Sequence, residues 1–296
     1  MDHVQLRLSH DVDGEMMRTY LKLTKPGIIF GNCLTAAAGF FLASKGSVDI
    51  SLLGAMLGGL ACIVASACVF NNYIDREADQ KMVRTQKRAL PRGEISPKQA
   101  LIFGAILCAL GFLTLILGTN LVAAATALAG FLIYIFFYSY LKYQTPYATW
   151  VGSVAGAMPP VVGYTAVAHR CDLAALILFM IVFLWQMPHF FAIGIYRLHD
   201  YAKAGIPILP VKSGIPATKV QMVLCVIAFM MTAPLLTVLG YTGYAYLTAS
   251  LLLSAAWLYI ALQGFRAKNA IKWARSMFFY SLGVIMVLSL LISFRG

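Results

Sequence analysis

Apolar runs of about 20 residues recur along nearly the whole chain, and each is close to the length that a bilayer's hydrocarbon core demands of a helix. Nine can be placed, near 26–44, 50–74, 98–118, 120–141, 148–168, 172–198, 218–240, 242–265 and 276–294. In lipid only a helix satisfies its own backbone polar groups across such a run. The runs therefore predict an all-α integral membrane protein with about nine transmembrane helices. Composition agrees, since 60% hydrophobic and 11% charged residues could not cover a water-facing surface.

The positions of Lys and Arg orient the spans. With the N-terminus in the cytoplasm, twenty of the 23 basic residues fall inside, and only Lys45, Arg170 and Arg295 fall outside. A miscount by one helix would destroy that asymmetry, so the expected topology is N-terminus cytoplasmic and C-terminus periplasmic. The formal charge of +12 is thus topological, and no nucleic-acid partner is expected. Residues 1–25 mix acids and bases before any apolar run and read as a cytoplasmic arm, amphipathic near Met16 to Leu23, followed by a single membrane domain over 26–296. No cleaved signal peptide or organelle presequence is visible in the arm, and the expected location is a bacterial inner membrane. Six cysteines show no CxxC and no zinc-ligand spacing; they read as small packing residues, with no disulfide or structural metal expected.

The loops after the second and sixth spans, 75–97 and 199–217, are long, which directs attention to the cytoplasmic face. The run NNYIDREAD places Asn71, Asp75 and Asp79 four residues apart, on one helix face and about 6 Å apart in rise. Two carboxylates at a helix C-terminus repel each other and oppose the macrodipole, so a positive group must compensate. One reading is a solvated charge cluster balanced by Arg76, Lys81 or Arg84. The other is a divalent cation: hard oxygen ligands that leave positions for water and phosphate oxygens are what Mg²⁺ uses on a diphosphate. Arg84, Lys87 and Arg88 follow closely, and guanidinium groups match phosphate oxygens bidentately. Tyr138 and Lys142 end the fourth span at the same level, either as interfacial anchors or as donors to a leaving diphosphate.

These residues resemble the first acidic motif of the UbiA-type intramembrane prenyltransferases, an NxxxDxxxD pattern matched by Asn71, Asp75 and Asp79, with a YxxxK pattern matched by Tyr138 and Lys142. Asn72 stands where many members carry a further Asp, and is not counted as a metal ligand. The stretches LTKPGIIFGN (23–32), GAMPPVVGY (156–164), LWQMPHFFAI (184–193) and DYAKAGIPILPV (200–211) are similar to segments of the heme-farnesylating branch of that family. The resemblance runs from the first span to the loop after the sixth and implies a UbiA-type helical bundle with Mg²⁺ as cofactor. It also implies that farnesyl diphosphate and heme b are the substrates. A farnesyl group would pass to a porphyrin vinyl group, and water would capture the resulting cation to give the hydroxyethylfarnesyl group of heme o. The product would go to a heme A synthase or a terminal oxidase.

One departure is informative. Where aromatic prenyltransferases carry a second DxxxD-like motif, this chain reads Arg197, His199, Asp200 and Lys203. A second carboxylate pair cannot be built there, so Arg197 and Lys203 become candidates for diphosphate or porphyrin propionate, and His199 and Asp200 for heme contacts. His189 lies about 12 Å into the membrane from the inner end of the sixth span. A buried imidazole in lipid is a candidate functional group, either ligating heme iron or hydrogen-bonded in the packing. Gly54, Gly58, Gly59, Gly152 and Gly156 suit close helix packing, and Pro159 with Pro160 should bend the fifth span. Two rivals remain at this stage, a 4-hydroxybenzoate-type polyprenyltransferase and an ion-coupled secondary transporter, although transporters place such carboxylates near the midplane.

Overall fold

The computed structural model describes residues 14–293. His3, His10, Arg7 and Arg295 lie outside the described residues. Among those described, nine helices are long and apolar enough to cross a membrane: α1 (Pro26–Ser44), α2 (Ile50–Lys81), α3 (Pro97–Gly118), α4 (Leu121–Leu141), α5 (Ala148–Ala168), α6 (Leu173–Tyr196), α7 (Gly214–Val238), α8 (Tyr244–Arg266) and α9 (Ala270–Ser293). Residues 14–23 of the arm are helical, and two short helices, Leu198–Lys203 and Leu209–Lys212, occupy the connection from α6 to α7.

Three helices outrun their apolar stretches. α2 reaches Lys81 where hydropathy ends near residue 74, because its last turns are held by protein and need no lipid. There the Thr85 hydroxyl donates to the Asp79 carbonyl at 3.1 Å and Arg88 pairs with the Asp79 side chain. α7 and α9 likewise begin four and six residues before the expected starts, at Gly214 and Ala270. Exposed Lys272 and Arg275 end the apolar run of α9 without ending the helix, whose first turn is capped by the Asn269 side chain.

Glycine decides where backbones touch. A Cβ on Gly163 of α5 would collide with the Ala36 carbonyl of α1, and one on Gly39 of α1 with the Pro160 carbonyl of α5. The pair lets α1 lie against α5 at backbone contact. Gly59 of α2 faces Gly111 of α3 in the same way, and the buried Ser66 hydroxyl of α2 donates to the Gly104 carbonyl of α3 at 2.7 Å. Gly54 and Gly58, expected at a helix contact, instead face open space, since the packed stripe of α2 runs through Gly59.

Two helices are irregular where they border the interior. α5 breaks at Ala157, between Ala148–Gly156 and Met158–Ala168, because Pro159 and Pro160 donate no N–H to the preceding turn. α4 contains a π-helical turn over Ile133–Tyr138, which the sequence pattern did not predict. Such turns widen the helix by one residue and are frequent at functional sites.

The main core joins α6, α7, α8 and α9, with side chains from α1 and α5, around Phe229, Tyr246, Trp257 and Met277; a second joins α1, α2, α3, α4 and α5 around Phe40, Met56 and Leu115. The arm helix is pinned beneath α2. Leu23 is buried with Val69 and Leu90, Tyr20 meets Phe103 edge to face, and the Asn72 amide donates to the Leu23 carbonyl at 2.9 Å. Asn72, at the position where a further Asp was absent, is thus a bracket between arm and helix.

Candidate active site

Between these two cores lies a cavity of about 970 Å³, lined from α1, α2, α4, α5, α6 and α9 and from the α2–α3, α4–α5 and α6–α7 connections. Its polar end is built on the last turns of α2. Asn71, Asp75 and Asp79 all line it, as their spacing predicted.

Each of these three groups meets a cation. The Asp75 carboxylate Oδ1 receives the Lys142 ammonium at 2.5 Å and the Tyr143 hydroxyl at 2.6 Å. Asp79, whose side chain is 1% exposed, pairs through Oδ2 with an Arg88 guanidinium nitrogen at 2.7 Å. Arg88 also donates to Asn72 Oδ1 at 3.3 Å. Lys25 Nζ donates to Asn71 Oδ1 at 3.2 Å. Lys25 sits at the N-cap of α1 with φ 53°, a left-handed backbone that L residues seldom adopt and that the following Pro26 makes rarer still.

The ionisation of this end is set by burial. Loss of water lowers the Lys25 ammonium to about 8; Arg88 adds to the fall, while Cys68, Asp75 and Asp79 oppose it. Burial also lowers Lys142, and the Asp75 carboxylate partly restores it. The Tyr143 phenol is pushed upward, first by desolvation and then by Asp75.

Two polar atoms here are buried and unpaired, Asp79 Oδ1 and Asn71 Nδ2. A buried carboxylate oxygen can only accept, so it is satisfied by a donor or a cation brought from outside. No group of three or more His, Cys, Asp or Glu able to hold a metal occurs among the described residues. Asp75 and Asp79 with Asn71 are therefore a partial set, of the kind that fits Mg²⁺ completed by water and phosphate oxygens rather than a closed protein cage.

The other predicted residues divide. Arg84, Arg88, Tyr138, Lys142, His189 and Arg197 all line the cavity. Lys87, His199 and Lys203 are exposed and, like Asp200, stand outside its wall. Asp200 lies 3.9 Å from Arg197. The reason is helical phase: Leu198–Lys203 presents Tyr201 to the cavity, and its neighbours turn away. Lys25, Tyr134, Tyr143, Gln186 and Tyr201 also line the cavity and were not singled out by sequence. Lys25 lies inside LTKPGIIFGN and Gln186 inside LWQMPHFFAI, so the signal was present as a stretch and not as a residue.

Below the charged end the wall is aromatic and apolar. Tyr134 and Tyr138, both on the π-helical turn, stack with centroids 5.3 Å apart. Gly152 of α5 carries the Tyr138 ring, and a Cβ there would come within 2.7 Å of it. Deeper still, Trp185 and His189 stack at 4.8 Å, and Phe278 covers the imidazole from α9.

A model of the UbiA prenyltransferase family matches residues 32–283. The chain belongs to the UbiA prenyltransferase family. Curated relatives of this UbiA chain include the protoheme IX farnesyltransferases of Protochlamydia amoebophila (strain UWE25), 51% identical over 94% of this chain and 99% of that one, and of Chromohalobacter salexigens, 48% identical over 94% and 95%. Among solved structures it is similar to a digeranylgeranylglyceryl phosphate synthase, with a TM-score of 0.79 at 20% identity over 94% of this chain and 98% of that one. It is also similar to a UbiA homolog from Archaeoglobus fulgidus bound to DMAPP and Mg²⁺, with a TM-score of 0.69 at 16% identity over 91% and 100%. The transporter alternative ends here, since the UbiA family is one of prenyltransferases.

Proposed function

We propose that this UbiA enzyme converts heme b to heme o, transferring the farnesyl group of farnesyl diphosphate to a porphyrin vinyl group. The observation that carries the reading is a convergence. The four stretches similar to the heme-farnesylating branch are scattered over residues 23–211, yet all four line the one cavity, through Lys25 and Phe30, Gly156 and Met158, Trp185 and His189, and Tyr201 and Ile208. Relatives that carry the name protoheme IX farnesyltransferase are about half identical over 94% of the chain.

In this reading Asn71, Asp75 and Asp79 hold Mg²⁺, with Asp79 Oδ1 the oxygen that lacks a partner without it. When bound, the metal neutralises charge on the diphosphate oxygens. Lys142, Lys25, Arg88 and Arg84 surround the same volume and take up the charge that develops as the C1–oxygen bond lengthens. Tyr134 and Tyr138 turn aromatic faces toward the allylic cation, and the apolar wall beneath excludes water from it. The terminal vinyl carbon of heme b attacks C1, and water captures the cation left beside the pyrrole. Trp185, His189 and Arg197 line the same cavity, and in this reading the porphyrin would lie against the first two with its propionates toward Arg197. The charged end faces the cytoplasm of a cell inner membrane, and the two domains read from sequence, arm and membrane body, act as one unit.

Purified protein incubated with heme b, farnesyl diphosphate and Mg²⁺ should yield a farnesylated heme by mass spectrometry. Conversion of 4-hydroxybenzoate with heme left untouched would instead place the chain among the aromatic-acid prenyltransferases.

A further inference from the structure

The deep part of the cavity presents two acceptors whose hydrogen atoms are fixed by their surroundings. Gln186 Nε2 donates to the Ser153 carbonyl at 3.2 Å and to the Val182 carbonyl at 3.1 Å. Two carbonyls can only be met by the NH₂ end, so the amide cannot be flipped, and Oε1 points the other way, beside Gly156 on the cavity wall. Gly156 is glycine for this reason, since a Cβ there would strike Oε1.

His189 is fixed in the same way by its neighbours. The Ser281 hydroxyl lies 2.6 Å from the Phe278 carbonyl and 2.7 Å from His189 Nδ1. A carbonyl accepts only, so with the single hydroxyl hydrogen given to Phe278, the shorter of the two contacts, His189 Nδ1 carries the hydrogen it shares with Ser281. Neutral His189 is therefore the Nδ1–H tautomer, with a bare lone pair on Nε2. Neither Gln186 Oε1 nor His189 Nε2 has a hydrogen-bond partner among the described residues, and neither is sealed off as a buried unpaired atom. Both residues line the cavity three positions apart on α6, hence on one face. Trp185 is no competitor for a ligand, because its indole N–H is given to the Ser281 carbonyl at 2.7 Å.

We infer that Gln186 Oε1 and His189 Nε2 hold the water molecule that becomes the product hydroxyl, with His189 as its general base. The inference rests on the heme-farnesylating reading and specifies its second half. Two neighbouring acceptors suit a ligand with two donor hydrogens, which is water; an iron ion has no use for the amide oxygen. The vinyl carbon forms a bond to farnesyl C1 as diphosphate departs with the electron pair of the C–O bond, leaving a cation on the carbon beside the pyrrole. The water oxygen gives a lone pair to that carbon, and one of its protons passes to His189 Nε2. Without a held water, the cation loses a proton from its neighbouring carbon and becomes an alkene. Ser281 is a positioning residue, since it acts only by keeping the proton on Nδ1.

The test reads the product and not the rate. Wild type, His189→Gln, Gln186→Leu and Ser281→Ala are each incubated in membranes with heme b, farnesyl diphosphate and Mg²⁺ in oxygen-18 water, and the hemes are weighed. Wild type should give the hydroxylated product carrying the label. Whatever their total turnover, His189→Gln and Gln186→Leu should shift the product to the species lighter by one water, lowering the hydrated-to-dehydrated ratio by about a hundredfold, as loss of a general base does. Ser281→Ala should fall between, because it frees the tautomer and keeps the imidazole. An unchanged ratio in the His189 and Gln186 variants overturns the inference. So does loss of the bound-heme absorption bands in His189→Gln alone, which would make Nε2 an iron ligand. A wild type that leaves heme unmodified defeats the underlying reading and is distinguishable from both.

Discussion

At the residue scale, the acidic face of α2 was legible because four-residue spacing is the period of a helix surface, and Asn71, Asp75 and Asp79 need only one helix to come together. Their partners were less so. Lys25 and Tyr143 reach this face from 46 and 68 residues away, and no local pattern announces a contact made by tertiary approach. Asp75→Asn and Asp79→Asn should each lower turnover by about a thousandfold, the scale of losing several kcal/mol of transition-state stabilisation, while the protein still inserts. Normal activity in both variants would remove the metal site. Lys25 gives a pH signature. Its ammonium loses its proton near 8, so the apparent affinity for farnesyl diphosphate should fall as pH rises past that value, and Lys25→Arg should flatten the dependence. Stability moves in the opposite direction. Between about 8 and the ordinary lysine value the unfolded chain binds more protons than the folded one, so this residue makes the fold more stable as pH rises through that window. A pH profile of KM identical in wild type and Lys25→Arg would separate Lys25 from the diphosphate.

At the element scale, hydropathy located the spans and misplaced the ends that leave the lipid. Hydropathy ends the second span near residue 74 because Asp75 to Lys81 are polar, although the spacing of Asn71, Asp75 and Asp79 already implied a helix face there; polarity only says where the bilayer stops. The helix goes on because Thr85 and Arg88 fold back to satisfy its last carbonyls and carboxylates. The π-helical turn of α4 has no sequence period of its own, since IYIFFY is apolar on every face. Its effect is local: it presents Tyr134 and Tyr138 together beneath Lys142, whose ammonium lies 5.4 Å from the Tyr138 ring centre. Gly152 is the contact on which this depends. Gly152→Ala should displace the Tyr138 ring and lower kcat by about tenfold, the cost of moving a positioned group by about 1 Å or less, with little change in folding. Tyr138→Leu combined with Gly152→Ala should then lose no more than Tyr138→Leu alone. Additive losses in that cycle would show that Gly152 acts on something other than the ring.

At the scale of the whole molecule, one core is built from α1 to α5 and the other from α6 to α9, the two share α1 and α5, and the cavity is lined from both. The α2–α3 and α6–α7 connections reach the same polar end, as two long loops on one side of a membrane must when an even number of spans separates them. Nine spans among the described residues would put the two chain ends on opposite sides, and the distribution of basic residues is the basis for proposing which side is which. Arg84, Arg88, Lys142 and Arg197, which line the charged end, are also among the residues on which the proposed cytoplasmic placement of the loops rests, so one set of charges is proposed to serve both topology and substrate. A reporter fused after Lys98 or Lys212 should accordingly be cytoplasmic, and one fused after Gly296 external. Neutralising residues of the site should leave that pattern unchanged, because most of the inward bias is carried by residues outside the cavity wall, Lys81, Lys87, Arg92 and Lys98 among them. A cytoplasmic C-terminus with both loop reporters still cytoplasmic would break the parity of nine spans, whereas one with both loop reporters external would invert the chain and move the charged mouth, and with it the entry of farnesyl diphosphate, to the other face of the membrane.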